Sequence, residues 1–325
     1  MWQYIARRGL VAIPVLLIAS IAVFAIVHKT TSPLGALRTN PRVSQDAIRK
    51  YKHDLGLDKS GVAQYTTWLG NFARGRWGTS LITGRRVSAD IREALTNTMV
   101  LGLVAFVLSL LIGISIGVFS AVRQYSFFDY LATGSSFLGL SMPVFWFALV
   151  LQIVFGLYLT NWLHLSQPIF FTAGIFSPGS EHFDLLDRIR HLVLPVIVLA
   201  VQIVALYSRY MRAGMLEVLH SDYLRTARAK GLSEGRVIVG HALRNAVAPL
   251  VSIAAIDVGT LAGGLIVTET IFAWPGMGSL FIDSMRNGDY SVILPWMMVV
   301  VSFVIVFNLV ADVLYAVLDP RIRYD

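Results

Sequence analysis

Residues 98–122 read TMVLGLVAFVLSLLIGISIGVFSAV and contain no charged side chain. A helix needs about 20 consecutive, mainly apolar residues to cross the hydrocarbon core of a bilayer. This stretch is therefore long enough to span a membrane. We predict an all-α, polytopic membrane protein with six transmembrane helices, because five further stretches qualify in the same way: Gly9–Val27, Leu131–Leu159, Leu192–Met211, Ala246–Thr268 and Val292–Val317.

The composition favours lipid as the solvent of this chain. Of its 325 residues, 56% are hydrophobic and 14% are charged, whereas a soluble domain carries about 25% charged residues. The formal net charge of +8 does not indicate nucleic-acid binding, because the basic residues lie between long apolar runs, as membrane flanks do. The chain has no cysteine, which excludes disulfides, iron–sulfur clusters and thiolate metal sites.

The first apolar stretch is predicted to be a retained membrane helix. Arg7 and Arg8 precede it, as basic residues precede the apolar core of a secretory signal. That core is only about 7–15 residues long and ends at a small-residue cleavage site. The stretch Gly9–Val27 is longer, and no clear cleavage pattern follows it.

Lysine and arginine in the short loops predict the orientation, because they are enriched on the cytoplasmic side. The first outside loop is also basic, but at about 70 residues it exceeds the length to which this rule applies. We expect both termini in the cytoplasm. The segments then placed inside hold Arg7, Arg8, Arg123, seven basic residues from Arg209 to Arg244, Arg321 and Arg323, whereas two outside loops hold only Arg188, Arg190 and Arg286.

The first outside loop carries its own helical patterns. One predicted helix is capped by Ser60 and ended by Gly75, and a later segment is predicted to begin at a Ser88 cap. The loop is either a small cap packed on the outer membrane surface or a docking platform for a partner. The apolar stripes that define its segments are Val62, Tyr65, Trp68, Leu69 and Phe72; Ile48, Tyr51 and Leu55; and Ile91 and Leu95.

The loop after the fourth span reads SDYLRTARAKGLSE over residues 221–234. It predicts a short helix capped by Ser221 and stopped by Gly231, with a second helix capped by Ser233. Pro249 should kink the chain where it enters the fifth span. Such a rigid corner suits a site that receives force from a soluble motor, with Ala227 and Ala229 allowing close approach. A basic loop resting on anionic lipid explains the same charge equally well.

The corner resembles the coupling loop of binding-protein-dependent ABC importer permeases, closest to their peptide, dipeptide and nickel branch. Arg225-Thr226-Ala227 stands where the general motif has Glu-Ala-Ala, and Gly231 stands at its glycine. Pro249 comes later than in the general motif, a departure that itself resembles the peptide branch. The resemblance implies an ATPase-coupling site formed by Asp222, Tyr223, Arg225, Thr226, Ala227, Arg228, Ala229, Lys230, Gly231 and Leu232.

Further stretches resemble the same branch in the same order, so that the resemblance covers nearly the whole chain. The first of them departs from the family by having Arg76-Trp77 where Asp-Leu is usual. They are Tyr65 to Leu81, Asn97-Thr98, Arg190 to Pro195, Glu269 to Gly278, Asp289-Tyr290, Asp312 and Asp319 to Arg321.

The resemblance implies a type I ABC importer permease fold. An N-terminal helix and outside cap would occupy residues 1–97, the transport core 98–317 and a cytoplasmic tail 318–325. The chain would lie in the bacterial cell membrane beside a second, related permease, with one or two cytoplasmic ABC ATPase domains and an extracytoplasmic solute-binding protein. It would import oligopeptides or dipeptides by alternating access.

ATP should be bound elsewhere, since the sequence has no Gly-x-x-x-x-Gly-Lys-Ser/Thr loop. No carboxylate pair, histidine cluster or Ser/His/Asp arrangement indicates catalysis or a metal site. We therefore expect no enzyme activity and no directly bound cofactor, with ATP and Mg on the partner ATPases.

Candidate pathway residues are drawn from three places. Asp257 lies within the fifth span, where a charged residue is expensive and suggests function; the alternative is a structural, hydrogen-bonded acid. The turn after that span is either a re-entrant scoop at the outer gate or an ordinary outside turn. The full set is Asp257, Glu269, Phe272, Trp274, Pro275, Gly276 and Gly278, with Ser141, Pro143 and Trp146 as weaker candidates that packing alone would also explain.

Two other classes of membrane protein compete with this interpretation. An ion-driven secondary transporter would need carboxylate relays or repeated halves with broken helices, and Asp257 alone is weak support for one. Uptake that persists without ATP would favour it. A non-transporting scaffold or sensor is the other class, and such a protein would not co-purify stoichiometrically with an ATPase.

Overall fold

The structure is a computed structural model that describes residues 2–30, 44, 46, 49, 52–53, 58–80, 82–177, 179 and 184–318. Three features predicted from sequence lie outside the described residues. They are the apolar stripe of Ile48, Tyr51 and Leu55, the motif Asp319 to Arg321, and the tail beyond residue 318.

The described residues form helices and no named strand, which confirms the all-α prediction. Two of the helices contain a π-helical turn, at Val154–Tyr158 and at Val237–Ala242. In chain order the helices are α1 Trp2–Thr30, α2 Gly61–Ala73, α3 Val87–Val122, α4 Phe127–Ser141, α5 Val144–Trp162, α6 Leu185–Leu219, α7 Asp222–Ala229, α8 Glu234–Ala246, α9 Ala248–Leu261, α10 Ile266–Ile271, α11 Met277–Asn287 and α12 Tyr290–Leu318.

The helices α1, α3, α5, α6 and α12 are long and apolar enough to cross a membrane. In the described part of the chain, α8 and α9 supply a sixth candidate span if the pair, bent by 50°, is counted as one. The bend falls between Ala246 and Ala248, next to Pro249, as predicted. The six predicted spans therefore each have a helical counterpart.

Three predicted helix boundaries were wrong. The second span begins at Val87 rather than Thr98, so Ser88 lies inside the first turn of α3 and does not precede it. The predicted outside segment and the span form one helix because the buried side of the helix, which includes Ile91, continues without a break into the apolar run. The fifth span ends at Leu261, well before Thr268, since Gly264 adopts a left-handed backbone (φ +84°) that stops the helix.

The third predicted span is divided at Pro143, as its sequence suggests. Helix α4 ends at Ser141, and α5 begins at Val144 with Pro143 in an extended conformation before it. Proline disfavours helical backbone in the residue that precedes it. The division follows because Met142 is extended too.

The chain divides into two compact units by its internal contacts. The first contains Met1–Thr98, Ala262–Ile266 and Pro275–Val306. In it, Tyr65 and Trp68 of α2 pack on a buried cluster that includes Phe24 of α1, and the Tyr65 hydroxyl lies 2.7 Å from Ser20 Oγ. Ser60 caps α2 and Gly75 follows its end in a left-handed conformation, both as predicted.

The second unit contains Met99–Leu261, Val267–Trp274 and Phe307–Asp325. Its largest buried cluster joins α3, α6, α7, α8 and α9. Small residues allow close packing there: a Cβ added to Gly117 would lie 2.6 Å from the backbone oxygen of Ser208, so α3 and α6 touch at this point.

Candidate functional site

The short helix α7 begins where the sequence predicts, although its predicted cap does not form. Ser221 has the extended backbone of an N-cap residue (φ −73°, ψ 147°), but its side chain makes no capping bond. Its hydroxyl instead donates to the carbonyl of Val218, 2.6 Å away. The preceding helix α6 therefore competes successfully for this hydroxyl. Ser233 likewise stands at the start of α8 without a side-chain cap.

The helix ends by the predicted mechanism. Gly231 has φ +77° and donates its backbone N–H to Arg228 O at 2.9 Å. Leu232 then donates to Ala227 O at 3.4 Å, so two carbonyls at the helix end are satisfied. A Cβ at Gly231 would meet no atom within 4 Å. The positive φ, and not lack of space, is what requires glycine here.

The inner face of α7 is built into the second unit. Leu224 is fully buried, and Ala227 is 9% exposed. Both belong to the cluster that includes Met215 of α6 and Val237 of α8. Burying a leucine side chain contributes about 1.5–3 kcal/mol, so α7 is anchored to its neighbours. The close approach that Ala227 allows is within this chain, where its methyl group packs, whereas Ala229 is exposed.

Polar contacts close the corner around Gly231. The Arg228 guanidinium donates twice to the Glu234 carboxylate, at 2.9 and 3.1 Å. The Asn245 side chain donates to the Tyr223 hydroxyl at 2.9 Å. Exposed pairs of this kind contribute only about 0.2–1 kcal/mol each. Their main effect is to hold α7 and α8 in one arrangement.

The ten residues predicted to form the coupling loop thus separate into two groups. Ala227 and half-buried Leu232 support the corner, Arg228 bridges it and Gly231 turns it. The outward face consists of side chains that are exposed in this chain: Asp222, Tyr223, Arg225, Thr226, Ala229 and Lys230.

A buried ion pair beside the corner was missed by sequence reasoning. Asp129, 2% exposed, accepts hydrogen bonds from Arg212 Nε and Nη2 at 2.7 and 2.8 Å. It also accepts from the Ser120 hydroxyl and from Tyr125 N. The Arg212 hydrogen bonds, with smaller contributions from those of Ser120 and Tyr125, hold the Asp129 pKa well below its usual range. The sequence does show an acid and a base next to apolar spans, Asp129 and Arg212. Because 83 residues separate them, the sequence does not indicate that they pair.

The structure gives Asp257 a partner within the chain. The buried Tyr207 hydroxyl of α6 donates to Asp257 Oδ2 at 2.6 Å. Asp257 itself is partly exposed on α9. The acid is therefore oriented by a tyrosine in an adjacent helix, as both the pathway and the structural interpretation allow.

Three further pathway candidates are buried in the second unit. Glu269 and Trp274 are 0% exposed and Phe272 is 1% exposed. The Arg188 guanidinium lies 4.6 Å from the Trp274 ring centroid, and Phe272 packs with Leu194 of α6. In this conformation none of the three lines an open surface of the unit.

The remaining residues of the predicted scoop lie in the first unit. Pro275 O accepts from the Asn97 amide at 2.9 Å, and Met277 N donates to the Thr98 hydroxyl at 2.7 Å. A Cβ added to Gly278 would lie 2.7 Å from Ile266 Cα. Pro275 and Gly276 therefore form a tightly held, non-helical approach to α11, and Gly278 lies in the first turn of that helix.

Ser141, Pro143 and Trp146 surround the break between α4 and α5. All three are exposed in this chain, and Trp146 is 52% exposed. They differ in exposure from Glu269, Phe272 and Trp274, which are buried.

Comparison with known proteins gives matches to two family models along the chain. Residues 113–324 match a family described as binding-protein-dependent transport system inner membrane component. Residues 1–101 match the corresponding N-terminal model, described as binding-protein-dependent transport system membrane component, N-terminal.

Curated relatives match over their full length. The chain is 43% identical over 325 residues to the oligopeptide transport system permease protein AppB of Bacillus subtilis, covering 100% of both chains. It is 38% identical to the dipeptide transport system permease protein DppB of Alkalihalophilus pseudofirmus, again covering 100% of both. It is 36% identical to DppB of Escherichia coli, covering 100% of this chain and 99% of the relative. The chain belongs to the family of binding-protein-dependent transport system inner membrane components, the permease subunits of ABC importers.

Proposed function

We propose that this permease subunit imports oligopeptides or dipeptides, driven by a separate ATPase that docks on the corner formed by α7 and α8. The peptide cargo is supported by the relatives, which are named as oligopeptide and dipeptide permeases. The way in which the α7–α8 corner is anchored in the second unit supports the coupling mechanism.

The observation that carries the coupling proposal is the two-sided character of α7. Its inner face is anchored through Leu224 and Ala227, whereas Tyr223, Arg225 and Ala229 remain exposed. A helix fixed on one face and free on the other can receive force and transmit it as a rigid body. Its neighbours in the core are α6, α8 and α9, so movement of α7 reaches apolar, span-forming helices directly.

Asp257 is our candidate for a pathway residue. It is partly exposed on a span-forming helix, and Tyr207 orients one of its carboxylate oxygens. Intramembrane acids usually face a cavity or a partner. The ammonium group of a peptide, or a basic residue of the second permease, is the complementary charge. Glu269, Phe272, Trp274 and the Pro275–Gly278 turn would act as a gate that opens by rearrangement.

We also propose the partners and the division of the chain that the family resemblance implies. They comprise a second, related permease, one or two cytoplasmic ABC ATPase domains and an extracytoplasmic binding protein. Residues 1–97 would form the helix and cap, 98–317 the transport core, and 318–325 a cytoplasmic tail; the two family matches, to 1–101 and 113–324, support the first boundary. Both termini and the α7–α8 corner would be cytoplasmic.

The chain itself would hydrolyse nothing. Its sequence contains no phosphate-binding Gly-x-x-x-x-Gly-Lys-Ser/Thr loop. ATP and Mg would be bound by the partner ATPases, and this subunit would contribute binding surfaces and motion only.

The absence of cysteine from the sequence allows a direct test. We expect Ala229→Cys to form a disulfide with a single surface cysteine on the co-purified ATPase. In proteoliposomes containing the complete transporter, that disulfide should stop ATP-driven peptide uptake, and reduction should restore it. Val62→Cys, at a 75% exposed position on the cap helix α2, is the matched control. In intact cells an impermeant maleimide should label Val62→Cys and not Ala229→Cys.

The possible failures of this test are distinguishable. Uptake that continues after complete cross-linking would refute coupling through α7 and leave the cargo assignment intact. ATP-driven transport with no preference for peptides would refute the cargo and leave the coupling site intact. Labelling of Ala229→Cys from outside would overturn the orientation.

A further inference from the structure

A cleft of about 510 Å³ opens beside the α7–α8 corner, inside the second unit. Two long, apolar helices end at it: α3 at Val122 and α6 at Leu219. Pockets that hold small ligands occupy about 300–1,000 Å³. The cleft is therefore large enough for a polar headgroup with several attached carbon atoms, and it lies where membrane-spanning segments give way to polar chain.

The cleft has a mixed apolar and basic lining. Val122, Leu219 and Ile238 contribute aliphatic side chains. The side chains that add positive charge or hydrogen-bonding capacity are Arg123, Gln124, His220, Arg225 and Arg228. This combination suits an anion that carries an apolar portion better than it suits a fully polar solute.

The charge balance of the lining is positive. Its acidic side chain, Glu234, is occupied by both hydrogen bonds from Arg228. The guanidinium of Arg225 lies 3.6 Å from Asp222, but that pair is 74% and 96% exposed and is correspondingly weak. Two guanidinium groups, those of Arg225 and Arg123, are therefore left with little compensation.

The contact that the structure shows for the Arg123 guanidinium is with an aromatic ring. Its guanidinium lies 4.7 Å from the centroid of the Phe119 ring, an interaction that leaves the charge in place. Among the described residues, no carboxylate lies within ion-pair distance of Arg123. The side chain can therefore contact an anion in the cleft without first breaking a salt bridge.

The turn that carries Arg123 is held in place by buried groups. Tyr125, with φ +63°, donates its backbone N–H to Asp129, which is itself fixed by Arg212. Ser126 N donates to Arg123 O at 3.1 Å, and Arg123 N donates to Phe119 O at 3.1 Å. The backbone beneath the guanidinium is thus pre-organised, which reduces the entropy lost when a ligand binds.

We propose that this cleft binds the phosphate group of an anionic phospholipid headgroup, held by Arg123 and Arg225. The planar guanidinium fork matches phosphate oxygens, and basic residues next to membrane spans attract anionic lipid. Val122, which ends the apolar run of α3, would contact the glycerol and the first acyl carbons. The proposal requires that the chain is embedded in a membrane and that an ATPase docked on α7 leaves Arg225 open to the cleft. It does not depend on a peptide cargo.

Binding is tested by native mass spectrometry of the full chain in detergent, titrated with phosphatidylglycerol or phosphatidylcholine. We expect retention of phosphatidylglycerol over phosphatidylcholine, weakened about fivefold by Arg123→Gln, since one arginine near a membrane surface contributes about 1 kcal/mol. Arg123→Lys, which keeps charge but loses the fork, should lose less. Arg236→Gln is the matched control, because Arg236 is exposed on α8 but does not line the cleft.

Three outcomes would overturn the proposal. Equal weakening by Arg123→Gln and Arg236→Gln would indicate general attraction to a basic surface. Competition by millimolar inorganic phosphate or glycerol phosphate as strong as that by the lipid would make a soluble phosphate ester the ligand. Unchanged lipid binding in Arg123→Gln, together with loss of ATPase co-purification, would assign the cleft to the ATPase. If Arg123→Gln unfolds, lipid retention is compared between wild type and Arg123→Lys, and phosphatidylglycerol is competed against phosphatidylcholine on the wild-type chain.

Discussion

The change Asp129→Asn should destabilise the second unit strongly. It removes the negative charge that accepts both hydrogen bonds from Arg212. It also replaces one carboxylate oxygen by an NH2 group, which cannot accept the hydrogen bonds that Arg212 or Tyr125 N donates at that position. Breaking a buried ion pair is destabilising by about 3–5 kcal/mol. The Arg212 side chain is 27% exposed and regains some hydration, so we expect a loss of about 2–3 kcal/mol in the free energy of unfolding.

The test is a double-mutant cycle that combines Asp129→Asn with Arg212→Gln. The free energy of unfolding of each variant is measured by denaturant unfolding in detergent. Residues in one hydrogen-bonded network couple by about 0.5–3 kcal/mol, and we expect more than about 1 kcal/mol here. Asp222→Asn is the matched control, because its arginine pair is almost fully exposed and should change stability by less than about 0.5 kcal/mol. A coupling energy near zero, or a loss at Asp129 no larger than that at Asp222, would refute this assignment.

The same ion pair predicts the direction of a pH effect. The pKa of Asp129 is lower in the folded protein than its ordinary value. Its contribution to stability is therefore complete above the unfolded-state pKa of about 4 and is lost as the pH falls toward the folded pKa. The stability difference between wild type and Asp129→Asn should be constant from about pH 8 to about pH 5 and should shrink only in stronger acid. A difference that shrinks already between pH 7 and pH 6 would point to another group.

Three other predictions concern glycines and the intramembrane acid. Gly231→Ala should reduce ATP-driven uptake modestly, through about 1 kcal/mol of left-handed strain, and Gly231→Pro should abolish it while membrane insertion, checked by membrane fractionation, survives. Asp257→Asn should alter peptide preference or uptake, while Tyr207→Phe, which only releases the carboxylate, should have a smaller effect in the same uptake assay; unchanged kinetics in Asp257→Asn would remove the residue from the pathway. Gly278→Ala should lower the melting temperature, because its Cβ meets backbone and overpacking costs about 1–3 kcal/mol, whereas Gly235→Ala, with open space around it, should be neutral or stabilising.

The helical spans and the ends of several helices were predictable because their causes are local. A long apolar run determines a span, proline at position 143 interrupts one, and the glycines at 75 and 231 adopt the left-handed conformation that ends a helix. The resemblance to binding-protein-dependent permeases was carried by short motifs in a fixed order, which the family matches confirm.

The errors occurred where local signals competed with packing. Ser221 has the sequence of a cap, yet its hydroxyl bonds to the helix before it. The small size of Ala227 was a local signal for close approach, and only packing showed that one surface approached is the Leu224 cluster of the same chain. Helical spacing does not distinguish the face that meets a partner from the face that meets the chain itself.

The sequence alone determined the fold class, the membrane setting and the position of the α7–α8 corner, because hydrophobic length, charge placement and glycine or proline chemistry act over a few residues. Only the tertiary structure decided which side chains meet across the spans: Asp129 with Arg212, 83 residues apart, and Tyr207 with Asp257, 50 residues apart. It also decided which face of α7 is buried, and that the ends of α3 and α6 line a basic cleft beside that helix. Those choices depend on how helices pack, and helix packing is set by contacts between residues distant in the chain.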